Sequence, residues 1–400
     1  MNSDAGPSVG AADVTTRMPA AEAHRRSSGQ MRIAISGIRG VPANFGGSET
    51  AAEEIGRRLA AAGHSVVVYC RKHNSTTSAE WYQGMRRVVL PSINRFNFDT
   101  ISHSALAALH MRFRDTADIM HFHGVGNALL IPLLWGSGKR VVVTIDGPDW
   151  ERPKWGRLAR FALKLGARMG ARWADRLIID NHPSIGYFKR EFGVTGTYIP
   201  YGADATLPIS TDYLPSLGLT SGRYLLFVGA FVPDKGPDLL LEAFRHVVTD
   251  MPLVMVGDSP FFPEFRASIA AAAERDPRVR ILGYVYGEHY RELLAGAYAY
   301  VHPLRSDGTS PALLQAMAYG KCIIVNSNAE SLSAVGDTAL PFKKDSAADL
   351  ARVLKAVLAD AALVEAYGSR ARRRREFEFS WDAVAAGHLR VFSELVSVTR

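Results

Sequence analysis

The stretch Val301-His-Pro-Leu-Arg-Ser-Asp-Gly-Thr-Ser-Pro-Ala-Leu-Leu-Gln-Ala-Met-Ala-Tyr-Gly-Lys-Cys-Ile-Ile-Val325 decides how the chain is read. An apolar strand at 297–301 runs into a loop holding Asp307, Gly308, Thr309 and Ser310. A helix is expected from Pro311, because proline suits the first helical turn, where its missing N–H is not needed. Ser310 is the expected N-cap. A second apolar strand follows at 322–325. Strand, loop, helix and strand in this order form one unit of a doubly wound sheet. The free N–H groups and positive dipole end of such a helix suit an anion. Asp307 and Gln315 stand eight residues apart, on either side of the helix start. An acceptor group there suits sugar or ribose hydroxyls while the helix end takes phosphate.

Upstream, the strand 224–229 leads into Ala230-Phe-Val-Pro-Asp-Lys-Gly-Pro-Asp238. Lys235 lies in that strand-to-helix loop, where a cation clamps phosphate. Arg280-Ile-Leu-Gly-Tyr-Val-Tyr286 is a further strand with its loop. The first half opens similarly. Met31-Arg-Ile-Ala-Ile-Ser36 is a strand, Gly37 to Gly47 a glycine- and proline-rich loop, and Ala52, Ile55 and Leu59 mark one face of a helix. Gly46 and Gly47 leave room for close approach to the backbone. His121 and His123 end a strand and, two residues apart, share one face of it. A zinc pair is disfavoured, because no third and fourth ligands follow at recognised spacings. Asp146 opens a loop in which Trp150 and Trp155 stand beside charged residues, a composition that suits a carbohydrate.

The segment 156–173 reads as a basic amphipathic helix. Arg157, Arg160, Lys164, Arg168 and Arg172 recur beside a stripe of Leu158, Phe161, Leu165, Met169 and Trp173. The favoured expectation is a surface helix whose stripe packs on its own sheet. The alternative is docking on an anionic membrane. Residues 372–375 form a basic run, expected to be a solvated face.

The wordings around Gly46-Gly47 and Asp307–Gln315 resemble the family 4 retaining glycosyltransferases. They are similar to a subgroup associated with rhamnosyl transfer, with a DUF1972-type amino-terminal domain. The resemblance covers nearly all of 31–400 and implies the GT-B fold: two doubly wound Rossmann-like α/β domains facing a cleft. The expected division is a disordered extension at 1–30, with Met31 a possible start, and an acceptor-side domain at 31–205. A linker at 206–220 leads to a nucleotide-sugar domain at 221–378, and a helix at 379–400 returns to the first domain. The resemblance implies a catalytic neighbourhood of His123, at the sugar, and Asp146. It gives the donor to Gly46, Gly47, Lys235, Asp307, Gly308, Thr309, Ser310 and Gln315, with the base beside Val285 and Tyr286. It implies a dTDP-, UDP- or GDP-linked sugar as donor, no metal or other cofactor, and a glycan or lipid-linked acceptor. Three positions depart from the family pattern: Ala230 replaces an expected Arg, Asp307 shortens a Glu, and Gln315 replaces a Glu. The departures leave a second reading, a catalytically weak relative that binds sugar or nucleotide.

The composition is that of a soluble globular protein. Of 400 residues, 47% are apolar and 22% charged, which gives ample core. The net charge of +8 points to an acidic substrate or a membrane surface, since the basic residues fit no recognisable nucleic-acid module. Cys70 and Cys322 both fall in apolar runs and are expected to be reduced, which suggests the cytoplasm, at the inner face of the membrane if the basic helix docks there. No apolar run reaches the roughly 18 residues of a membrane span.

Overall fold

A computed structural model describes residues 29–43, 46–95, 98–151, 155–206, 208, 210–259, 262–305 and 309–397. The extension at 1–28 and the loop positions Asp307 and Gly308 lie outside the described residues.

Among the described residues, fourteen strands form two sheets. The first holds β1 (Arg32–Ser36), β2 (Ser65–Arg71), β3 (Trp81–Tyr82), β4 (Met85–Leu90), β5 (Ile119–His123), β6 (Arg140–Ile145), β7 (Arg176–Ile179) and β8 (Thr197–Tyr198), in the order β3-β4-β2-β1-β5-β6-β7-β8. The second holds β9 (Leu225–Val228), β10 (Leu253–Val256), β11 (Val279–Gly283), β12 (Ala299–His302), β13 (Cys322–Asn326) and β14 (Leu340–Phe342), in the order β11-β10-β9-β12-β13-β14. Every pairing is parallel except β3 with β4. Parallel strands covered on both faces must be apolar throughout, and the run Val66-Val-Val-Tyr-Cys70 is buried at every position. The two Rossmann-like units expected from the sequence are therefore present.

One core runs from the inner face of the first sheet to that of the second. The last helix, Trp381–Ser397, joins it. This helix follows the second unit in sequence but packs beside the helix Gly47–Ala61 of the first. Trp381, Val384, His388, Val391 and Phe392 are buried, and Phe392 alone contributes about 1.5–3 kcal/mol by leaving water. Polar contacts fix the crossing. Arg58 Nε donates to Asp382 at 2.6 Å and Arg58 Nη2 to Asp204 at 3.0 Å. Arg375 donates to Asp204 and to the Ala203 carbonyl.

This corrects in part the reading of 372–375 as a solvated run, since Arg374 and Arg375 are half-buried. Arg372 reaches the Tyr319 carbonyl at 3.4 Å, and Arg374 reaches that of Ala334 at 2.9 Å. Arg375 fastens the crossing, Arg372 and Arg374 bond carbonyls inside the second unit, and Arg372 and Arg373 remain exposed.

A second correction concerns the helix Arg157–Trp173. Its large apolar stripe does not pack on the sheet. Leu158 is 81% and Phe161 65% exposed, with Leu165 and Trp173 also facing solvent. The buried face is instead Gly166, Ala167 and Gly170. A Cβ on Gly166 would stand 2.7 Å from the Val125 carbonyl, so only a small residue permits this approach. Trp150, placed in a sugar pocket from sequence, is buried among Tyr187, Phe188 and Phe192.

Candidate functional site

Each sheet reverses its winding once. The first reverses between β1 and β5, the second between β9 and β12. Ligands of open parallel sheets settle outside the carboxyl ends of the strands at such points.

At the first point Gly37 follows β1 with φ of +92°, pressed against the His123 carbonyl and Asn127. The glycine-rich loop is tied down by Glu49, which accepts the Arg39 N–H at 3.0 Å. His123 is buried and, as expected, shares a face with His121, their ring centroids 4.4 Å apart. His388 of the last helix completes the cluster, 5.4 Å from His121. His121 bonds Thr144 Oγ1 at 2.7 Å, and His388 Nδ1 bonds the Val384 carbonyl at 2.9 Å. Among the described residues, neither ring nitrogen of His123 has a partner. Burial and the neighbouring His388 push His123 down to about 3, so it is a neutral donor-acceptor at ordinary pH. Such an orphan at a strand end is the kind of group a ligand hydroxyl satisfies.

Asp146 directly follows β6, as expected, and its Oδ1 accepts the Tyr201 hydroxyl at 2.7 Å. Asn181 Nδ2 donates to the Asp146 carbonyl at 2.9 Å. Burial first, and then Asp146 and Asp180, raise Tyr201 well above its ordinary pKa, so it remains a donor. Asp180, Asn181, Tyr201 and His388 did not stand out in the sequence. None sits in a glycine loop, and each acquires its place only through distant strands.

At the second point Lys235 closes a tight turn, Pro233–Lys235, and His302 ends β12. Burial first, then the Lys235 ammonium, lower His302 to about 3. Arg305 does not supply the guanidinium missing at Ala230, because it forms a two-point pair with Asp238, both at 2.8 Å. Tyr286 is exposed and lies parallel to Tyr284, centroids 6.0 Å apart, with Val285 half-buried between them. The helix Pro311–Ala318 begins as expected. Ser310 sits at its N-cap but makes no side-chain cap bond, so the first N–H groups are not capped by it. The Gln315 Oε1 accepts the Tyr290 hydroxyl at 2.7 Å.

The two points face each other. A Cβ on Gly47 would lie 2.5 Å from Pro311 Cγ, so two helix N-termini meet across the cleft. The space that Gly47 leaves is taken by Pro311. Thr309 bonds Asp180 across the same gap. A depression beside Arg140, Asp175 and Glu394 opens at the opposite, amino-terminal edge of β6 and β7 and holds none of these groups. Among the described residues, no group of three or more His, Cys, Asp or Glu side chains is placed to hold a metal ion.

Two family models match the chain: Glycosyltransferase Family 4 over residues 45–207, and Glycosyl transferases group 1 over residues 222–360. The chain belongs to the GT-B glycosyltransferases of family 4. It is 30% identical over 248 residues to the D-rhamnosyltransferase WbpZ of Pseudomonas aeruginosa, covering 58% of this chain and 61% of that protein. Against the O-antigen chain mannosyltransferase B of Escherichia coli it is 25% identical over 164 residues, 40% and 42% of the two chains. The chain thus spans less than two thirds of these relatives. Sucrose-phosphate synthase from Thermosynechococcus elongatus has the same fold, with a TM-score of 0.80 at 20% identity over 92% of this chain and all of that one. Anabaena HepE in complex with UDP and glucose superposes with a TM-score of 0.74 at 14% identity, over 91% and 100% of the chains.

Replacing His123 with Phe tests whether this orphan imidazole is kept for function. Removing two unsatisfied buried nitrogens while keeping most of the shape leaves stability unchanged or raises it by about 1–2 kcal/mol. A thermal unfolding midpoint several degrees below the wild type would show that His123 has a structural task instead.

Proposed function

We propose that the protein transfers a sugar from a nucleoside diphosphate to a glycan or lipid-linked acceptor with retention, in cell-surface polysaccharide synthesis. The observation that carries this reading is the pair of facing switch points. One presents an uncapped helix N-terminus, Lys235 and an exposed aromatic pair; the other presents His123 and Asp146. Phosphate belongs with the first set and sugar hydroxyls with the second. Rhamnose as the sugar is supported by the likeness to WbpZ and by the wording around Gly46-Gly47. The resemblance assigns Gly46, Asp307, Gly308, Thr309 and Ser310 to the donor sugar and phosphates, Gln315 to the ribose, and Val285 and Tyr286 to the base, while Gly47 makes room for Pro311 instead.

The reaction follows from these roles. The bond from the anomeric carbon to the diphosphate oxygen breaks, and the acceptor oxygen bonds that carbon from the same face. The acceptor proton passes to the departing phosphate oxygen. Lys235 and the helix N-terminus stabilise the charge gathered on the diphosphate, so the step needs no metal. Calorimetric titration with dTDP, UDP and GDP in EDTA tests the donor site. One nucleotide binds selectively, and Lys235→Ala weakens it about tenfold, the worth of one charge-assisted bond. Absence of binding at millimolar concentration would overturn the donor site. Binding without transfer would favour the weak relative, for which Ala230 and the engaged Gln315 already speak.

The exposed stripe of Arg157–Trp173 supports work at the inner face of the cell membrane. Leu158 and Phe161 face water beside five basic residues, and the helix contains no acid. Trp135 extends the apolar patch, edge-on to Trp173 at 5.0 Å. A stripe of this size between cations suits an anionic lipid surface. Co-sedimentation with phosphatidylglycerol vesicles is expected, falling with salt and absent with phosphatidylcholine. The Leu158→Asp, Phe161→Asp double variant stays in solution with unchanged nucleotide binding. Equal binding to both lipids, or by the double variant, would contradict membrane docking.

A further inference from the structure

Asp180 is a buried carboxylate for which the transfer reaction has so far supplied no task. It follows β7 and is 1% exposed. Its Oδ1 accepts Asn181 Nδ2 at 2.6 Å, and Asn181 Oδ1 in turn accepts the Ser184 N–H at 2.8 Å, capping the helix His182–Phe192. The carboxylate is therefore oriented by its own unit. Its Oδ2 accepts the Thr309 N–H of the other unit at 3.2 Å, and its backbone carbonyl accepts the Thr309 hydroxyl at 3.0 Å. Both hydrogen-bond donors of Thr309 are thus satisfied across the cleft by one residue. Two positions further on, Pro311 fills the space left by Gly47. A polar and an apolar contact grip the chain on either side of Ser310.

A buried carboxylate is tolerated only where hydrogen bonds replace its water. Part of that replacement here comes from the opposite unit, and it exists only while the units are together. We infer that Asp180 is a positioning residue that holds the cleft closed on the donor loop before any nucleotide arrives. The part played by that loop in transfer rests on the reading given under Proposed function; the closure itself does not. A preset cleft keeps the donor and acceptor halves aligned, which removes an ordering step from the path to reaction.

Small-angle X-ray scattering of the full chain without nucleotide reads closure independently of the donor. Asp180→Leu and, separately, Thr309→Val increase the radius of gyration and maximum dimension over the wild type. Asp180→Asn, which keeps an acceptor for the Thr309 N–H, scatters as the wild type. Should the Leu variant not fold, by circular dichroism, Thr309→Val carries the comparison. Calorimetry with dTDP, UDP and GDP gives the second reading. Affinity for the bound nucleotide changes less than about twofold, while kcat for transfer falls about tenfold or more through lost alignment. Variants that scatter as the wild type overturn the latch. So does an Asp180→Leu variant that binds nucleotide tenfold tighter, which would make the carboxylate an occupant of the ligand's place. If no nucleotide binds at all, the donor reading falls and the scattering result still decides the latch.

Discussion

The docking of the last helix onto the first unit is the contact on which the cleft depends. Trp381–Ser397 leaves the second unit and buries Trp381, His388 and Phe392 against the first. Arg58, Asp204, Arg375 and Asp382 pin the two crossing strands of chain where they pass. The hydrophobic part supplies the energy, since apolar burial is not directional. The ion pairs, half in water, add little energy and fix the angle. With the angle set, the carboxyl ends of two parallel sheets point into one space. The cross-cleft contacts of Gly47 with Pro311 and Asp180 with Thr309 then become possible.

Opposite chemistry is collected on the two sides of that space. The first unit offers neutral imidazoles and a tyrosine-held carboxylate, groups that pair with hydroxyls. The second offers a helix N-terminus and an ammonium, groups that pair with phosphate. A sugar joined to a diphosphate has these two ends. The three buried histidines remain uncharged because burial lowers each of them, and neighbouring imidazoles lower His121 and His123 further. An uncharged cluster costs the helix docking little and leaves His123 able both to donate and to accept.

The periodic parts of the fold were legible in the sequence. The apolar runs became β1, β5 and β12, and Pro311 began its helix, because strand burial and proline geometry are local. The positions of His123 and Asp146 at strand ends followed from the same runs. What could not be read was orientation and distant pairing. The stripe of Arg157–Trp173 has the same helical period whether it faces core or water. The deciding signal was the small opposite face of Gly166, Ala167 and Gly170, which admits a neighbouring backbone. Trp150 beside acidic residues imitates a sugar platform, and only its aromatic neighbours at 187, 188 and 192 show it to be core. Asp180 was invisible because its partner lies 129 residues away.

Hydrogen–deuterium exchange of the full chain, with and without saturating dTDP or UDP, tests most directly whether the nucleotide sits at the switch point of the second sheet. The account predicts slowed exchange confined to the turn at 230–237, the loop at 283–287 and the start of the helix Pro311–Ala318, with the strands of the first sheet unchanged. Protection centred on the first unit, or none at any segment of the second despite bound nucleotide, would contradict it.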